Sequence, residues 1–78
     1  PVPQKLINVR YEPGKAPLEA APVQDAIAEA EITLGRDGRL LIRKSGTEPL
    51  IRVMAEAVDP ALLDRVLNTV VAAVERES

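Results

Sequence analysis

The sequence predicts an α+β fold, a small antiparallel sheet of three to four strands with two helices packed on one face. Three observations carry this prediction. Three short segments alternate or run apolar at strand length, two longer segments repeat apolar residues at helical spacing, and Gly- and Pro-rich turns separate them.

The first segment, Lys5 to Tyr11, sets Ile7, Val9 and Tyr11 against Leu6, Asn8 and Arg10 at period two, which is a strand. Glu12 to Ala21 contains Pro13, Gly14 and Pro17 and reads as a loop. Pro22 suits the first turn of a helix, and Val23, Ala26, Ile27, Ala30 and Leu34 follow at helical spacing. This helix is expected to run to about Ala30. Beyond it, Ile32–Leu34 is open between helix and a short fourth strand, with Gly35 as a helix stop or Gly35–Gly38 as a hairpin turn. Arg39 to Lys44 and Leu50 to Val58 are strands around a loop, Ser45 to Pro49. Asp59 is placed to cap the last helix, with Pro60 at its first position. Leu63, Val66, Leu67, Val70 and Val74 then form one apolar stripe.

A chain of 78 residues is one small domain. Hydrophobic residues make up 46% of it, and Tyr11 is the single aromatic, so the core must be aliphatic. Pro1-Val2-Pro3 is linker-like and suggests a piece of a longer protein. With neither Cys nor His there can be no disulfide, no thiolate or imidazole metal ligand and no histidine base. A reducing cytoplasm is permitted, and a cytoplasmic location is expected. No apolar run approaches the roughly 18 residues of a membrane span, so no membrane partner is expected. A net charge of −2 and one aromatic leave neither a basic stripe nor stacking platforms, so no nucleic-acid partner is expected either. An anion site, if present, must be local.

The segment Arg43-Lys44-Ser45-Gly46-Thr47-Glu48-Pro49-Leu50-Ile51-Arg52 supplies one. If the strands pair so that Arg43 opposes Arg52, then Leu41 faces Met54 and Arg39 faces Glu56 on the same side. Leu40, Ile42, Val53 and Ala55 make the other side purely apolar. A slip of one residue would drive Arg52 into that apolar side, at a cost of several kcal/mol for an unpaired guanidinium, so this register is favoured. It places two arginines side by side, next to Lys44. Like charges directly opposite each other are destabilising, and a bound dianion would offset that. Guanidinium groups grip phosphate bidentately. Ser45 and Thr47 add hydroxyl donors, Gly46 can adopt positive φ and lets backbone N–H groups approach an oxyanion, and Pro49 restricts the loop. The competing reading of Ser45-x-x-Glu48 is a capping box opening a helix, but Leu50–Ala57 alternates better than it spirals. Arg43 and Arg52 as ordinary solvated side chains is the other plain alternative.

These residues resemble the phosphate-binding loop of the α-D-phosphohexomutases, most closely that of the bacterial phosphoglucosamine mutases, in the form R-x-S-G-T-E-P-x-x-R-V-M. The likeness extends to Asn8-Val9-Arg10 and to Val23–Glu31, though the loop is its specific part. The resemblance implies the last, TBP-like domain of a four-domain isomerase, spanning residues 1–78 here. That enzyme interconverts glucosamine 6-phosphate and glucosamine 1-phosphate, a precursor step for UDP-N-acetylglucosamine and peptidoglycan, using a phosphoserine, a bisphosphorylated intermediate and Mg²⁺. Its partners would be the phosphosugar and the remaining domains of the same enzyme, whose cleft this domain swings to close. Carried over residue by residue, Arg43, Ser45, Gly46, Thr47 and Arg52 would contact the substrate phosphate, with Glu48 and Pro49 shaping the loop and Lys44 without an assigned role. No catalytic residue and no metal ligand is expected in this chain. It has no metal-binding D-G-D loop, no catalytic-serine segment and no His for the sugar loop, and Ser45 has no base beside it. Alternatives are another phosphohexomutase or a stand-alone anion-binding regulatory module. Glu29, Glu31, Glu75 and Glu77 are read as solvated helix faces, Arg39–Glu56 as a cross-strand pair and Met54 as sheet packing.

Overall fold

The computed structural model describes residues 2–78. Its elements are β1 (Gln4–Arg10), α1 (Ala21–Leu34), β2 (Gly38–Lys44), β3 (Leu50–Ala57) and α2 (Pro60–Arg76). Two short 3₁₀ turns, Pro17–Glu19 and Gly35–Asp37, bracket α1. The strands form one sheet in the order β1-β3-β2, with β3 antiparallel to both neighbours. β1 and β2 therefore run parallel on either side of β3, and β1-α1-β2 is a split βαβ unit. The ends of β1 and β2 and the beginning of β3 all meet at one end of the sheet. The loops that follow Arg10 and Lys44 lie there.

Both helices pack on one face. Val9, Ile51, Val53, Ala55 and Ala57 of the sheet bury against Val23, Ala30 and Leu34 of α1 and against Leu63, Val66, Leu67, Val70 and Val74 of α2. Helix α2 lies beneath β1 and β3, and α1 lies beneath β2 and against α2. Each fully buried Val, Leu or Ile side chain stabilises such a core by about 1.5–3 kcal/mol. The predicted stripe of α2 is buried at all five positions. Its N-terminus is capped as expected, with the Asp59 carboxylate accepting from the Ala61 N–H at 2.9 Å and Pro60 in the first turn.

Helix α1 runs one turn further than the sequence predicts. Ile32–Leu34 is helix, and the optional fourth strand does not form. Leu34 falls four residues after Ala30 on the buried stripe and is only 4% exposed, whereas Ile32 points outward at 76%. A strand would have exchanged one buried leucine for a short edge pairing. Gly35 ends the helix at φ 56°, a conformation that glycine adopts without penalty. Of the linker-like start, Pro1 lies outside the described residues, while the Pro3 carbonyl accepts from the Ala57 N–H at 3.1 Å and continues the sheet by one step.

Candidate functional site

The site begins with the strand register. Arg43 pairs with Arg52, Leu41 with Met54 and Arg39 with Glu56, while Leu40 and Ile42 pair with Ala55 and Val53 on the core side. This is the register the charge argument selects. On the other flank of β3, Asn8 pairs with Arg52 and Leu6 with Met54. The helix-free face of the sheet therefore carries rows three residues wide: Asn8–Arg52–Arg43 nearest the loop, then Leu6–Met54–Leu41, then Gln4–Glu56–Arg39. Arg43 and Arg52 line one shallow depression of about 240 Å³ together with Gln4, Leu6, Leu41 and Met54.

Charge pairing on this face is uneven. Arg39 Nε donates to Glu56 Oε1 at 2.5 Å, and Arg10 Nη2 donates to Glu48 Oε1 at 2.7 Å. Among the described residues, neither Arg43 nor Arg52 has a carboxylate within 4.0 Å. Both guanidiniums are exposed, and they sit directly across the strand pair from each other.

The loop Ser45–Pro49 joins β2 to β3 and lines a second depression with Tyr11, Lys15 and Lys44. Its base is closed by the backbone: the Ser45 N–H donates to the Leu50 carbonyl at 2.7 Å and the Leu50 N–H to the Glu48 carbonyl at 2.8 Å. Inside the loop, Ser45 Oγ accepts from the Thr47 and Glu48 N–H groups, both at 3.3 Å, and lies 3.4 Å from Thr47 Oγ1. The capping half of Ser45-x-x-Glu48 thus forms without a helix behind it, because the following residues are committed to β3. Gly46 does not take the positive φ that its type allows; only Gly14 and Gly35 do. A Cβ at Gly46 would meet no protein atom within 4 Å, so the missing side chain preserves open space over the loop. The Gly46 N–H has no hydrogen-bond partner among the described residues.

Lys44 departs from expectation. It adjoins Arg43 in sequence but pairs with Ile51, the core-side position, and so lies on the other side of the sheet from the arginine pair, beside Tyr11, Lys15 and Pro17, where it also lines the depression formed by the Ser45–Pro49 loop. Strand period two separates it from the arginine pair. Two further residues belong to the site by position. Asn8 stands beside Arg52, and Arg10 ties Glu48 to β1. Alternation puts both on the outward side of β1, but their neighbours follow from strand order, which no local pattern in the chain encodes.

The two unneutralised guanidiniums line one depression, while the two hydroxyls and the free Gly46 N–H line another with Lys44 and Lys15, so the groups are neighbours along the β2–β3 hairpin and do not share a single cavity. Glu29, Glu31 and Glu75 are exposed, and no three acidic side chains converge on a possible metal position among the described residues.

The sequence matches the family described as phosphoglucomutase/phosphomannomutase, C-terminal domain, over residues 6–73. It is 72% identical over 75 residues to the phosphoglucosamine mutase of Ruegeria sp. (strain TM1040), covering 96% of this chain and 17% of that protein. It is 68% identical over 74 residues to the phosphoglucosamine mutase of Ruegeria pomeroyi, covering 95% of this chain and 16% of that one. The chain therefore spans about one-sixth of the length of the curated relatives it matches. Among solved structures it resembles the N-acetylphosphoglucosamine mutase of Aspergillus fumigatus, with a TM-score of 0.74 and 26% identity over 97% of this chain and 16% of that chain. A structure of the Aspergillus enzyme with GlcNAc-6P and magnesium aligns with a TM-score of 0.69 and 29% identity over 94% of this chain and 16% of that one.

Proposed function

Because the chain belongs to the family of phosphoglucomutase and phosphomannomutase C-terminal domains, we propose that it is the phosphate-gripping final domain of a phosphoglucosamine mutase. The whole enzyme would interconvert glucosamine 6-phosphate and glucosamine 1-phosphate. Arg43 and Arg52 hold the substrate phosphate from the sheet, and Ser45, Gly46 and Thr47 hold it from the loop. The observation that carries this reading is the Arg43–Arg52 pair, placed cross-strand with no carboxylate to neutralise it.

The grip follows from the chemistry of the groups. A phosphate dianion presents several acceptor oxygens, and charge-assisted hydrogen bonds to them contribute about 1.5–3 kcal/mol each. Two or three such bonds, less the cost of association, leave the isolated domain with affinity on the order of 1 mM. Sugar contacts would come from the remaining domains. Because the clamp groups recognise phosphate alone, either end of a bisphosphorylated sugar can occupy the same place.

The chain itself is not catalytic. Its residues do not fit the magnesium ion, since the acidic side chains are dispersed and the open face is lined by arginines, which repel a dication. That ion, the phosphoserine and the sugar contacts are assigned to the domains this chain would join, in the cytoplasm. A chimera tests the proposal. This chain replaces the matching segment of the Ruegeria sp. phosphoglucosamine mutase, and conversion of glucosamine 1-phosphate is measured. Retained activity that falls by about 10²- to 10⁴-fold in kcat/KM on Arg52→Ala is expected, from two lost charge-assisted bonds. A folded chimera that turns over equally well with or without Arg52 would refute it.

A further inference from the structure

Among the described residues, one side-chain hydrogen bond ties the tip of the Ser45–Pro49 loop to the rest of the fold. Its backbone bonds lie at its base: Ser45 to Leu50, Leu50 to Glu48, and the Tyr11 N–H to the Pro49 carbonyl at 3.0 Å. The hydroxyl bonds within it are long, at 3.3–3.4 Å, and hold the loop only to itself. What remains is the Glu48 carboxylate, reached from β1 by Arg10 at 2.7 Å.

We propose that Arg10 is a positioning residue that fixes the shape of the Ser45–Pro49 loop through Glu48, and so sets how the loop meets an anion. The second half of this statement rests on the anion-binding reading above. Two physical reasons support it. The first is order: the Thr47 and Glu48 N–H groups, which follow Gly46, both donate to Ser45 Oγ at 3.3 Å, and anchoring the Glu48 side chain restrains the backbone that carries them. The second is charge. A bare carboxylate three residues from Ser45 would repel a dianion, and the Arg10 guanidinium neutralises it in place. The side chains are 65% and 52% exposed, so the pair contributes little to global stability, and its effect is local. Arg10 emerges on the same face as Arg43 and Arg52 but is already engaged, which separates its role from theirs.

A mutant cycle on the 78-residue chain tests this, using Arg10→Met, Glu48→Gln, both together, and Arg10→Lys. Amide hydrogen exchange at Thr47 and Glu48 without ligand gives one readout. Inorganic phosphate binding, followed by amide chemical shifts, gives the other. Arg10→Met is expected to speed exchange at those two amides and to weaken phosphate binding, each by about 3- to 10-fold, the usual size of a contact coupling. Neither effect should appear in the Glu48→Gln background, and Arg10→Lys should restore part of both. Unchanged exchange in Arg10→Met overturns the proposal. An equal loss of phosphate affinity in both backgrounds also overturns it, because Arg10 would then touch the anion itself. A wild-type chain that ignores phosphate, yet whose loop amides exchange faster in Arg10→Met, would remove the anion site and leave the tether standing.

Discussion

Two cross-strand pairs on the same sheet face, joining the same two strands, have been given opposite electrostatics. Arg39 and Glu56 form an ion pair at 2.5 Å, while Arg43 and Arg52, four residues along each strand, place like charge against like. Backbone geometry is shared and both rows lie on the helix-free side, although Glu56 is partly buried and both arginines of the other row are exposed. What differs is the neighbour. The Arg39 row ends at Gly38 and the 3₁₀ turn, whereas the Arg43 row ends at a loop carrying two hydroxyls and an open glycine. Opposite charges across a strand pair stabilise and like charges destabilise, by up to about 1 kcal/mol. The sheet thus keeps an unfavourable pair at the one place where a dianion would reverse its sign.

Converting one row into the other is the sharpest way to break this contrast. Arg43→Glu makes the upper row resemble the lower. It should abolish phosphate-induced shifts in the loop amides, a loss of about 3–6 kcal/mol for two removed charge-assisted bonds. Thermal unfolding should meanwhile show unchanged or slightly raised stability, within about 1 kcal/mol. A loss of fold in that variant would mean that Arg43 packs rather than binds.

The lower row can be disturbed through its backbone. A Cβ at Gly38 would sit 2.5 Å from the Glu56 carbonyl oxygen and 3.0 Å from a Leu34 methyl, at a φ of −167° that any residue accepts. Gly38→Ala is therefore expected to cost roughly 1–3 kcal/mol by overpacking, measured by denaturant unfolding. Phosphate binding at the distant loop should be unaffected. The smallest effect is expected from Arg39→Ala. Arg39 itself is 67% exposed, although its Glu56 partner is only 22% exposed, so stability should fall by less than about 1 kcal/mol, and less again in high salt.

Legibility followed the range of the interactions. The register of the β2–β3 hairpin was written locally, because the loop is short and a one-residue slip would bury Arg52. The cap at Asp59 and the α2 stripe were local too. The end of α1 was ambiguous, since Ile32-Thr33-Leu34 has strand character and only packing against the sheet decides that Leu34 goes inward. Lys44 was grouped with the arginines by adjacency, although alternation already assigns it to the opposite face. The Asn8–Arg52 neighbourhood and the Arg10–Glu48 contact depend on β1 docking against β3 across more than thirty-five residues, a pairing that no periodicity within either segment contains.

Arginine side-chain Nε–Hε resonances, followed by NMR as inorganic phosphate is added to the 78-residue chain, read all four open-face guanidiniums at once. Arg43 and Arg52 should move together along one saturating curve, with Arg39 still, because only the unneutralised pair has charge to share with a dianion. Equal movement of Arg39, or independent curves for Arg43 and Arg52, would show that the two side chains do not act as one clamp.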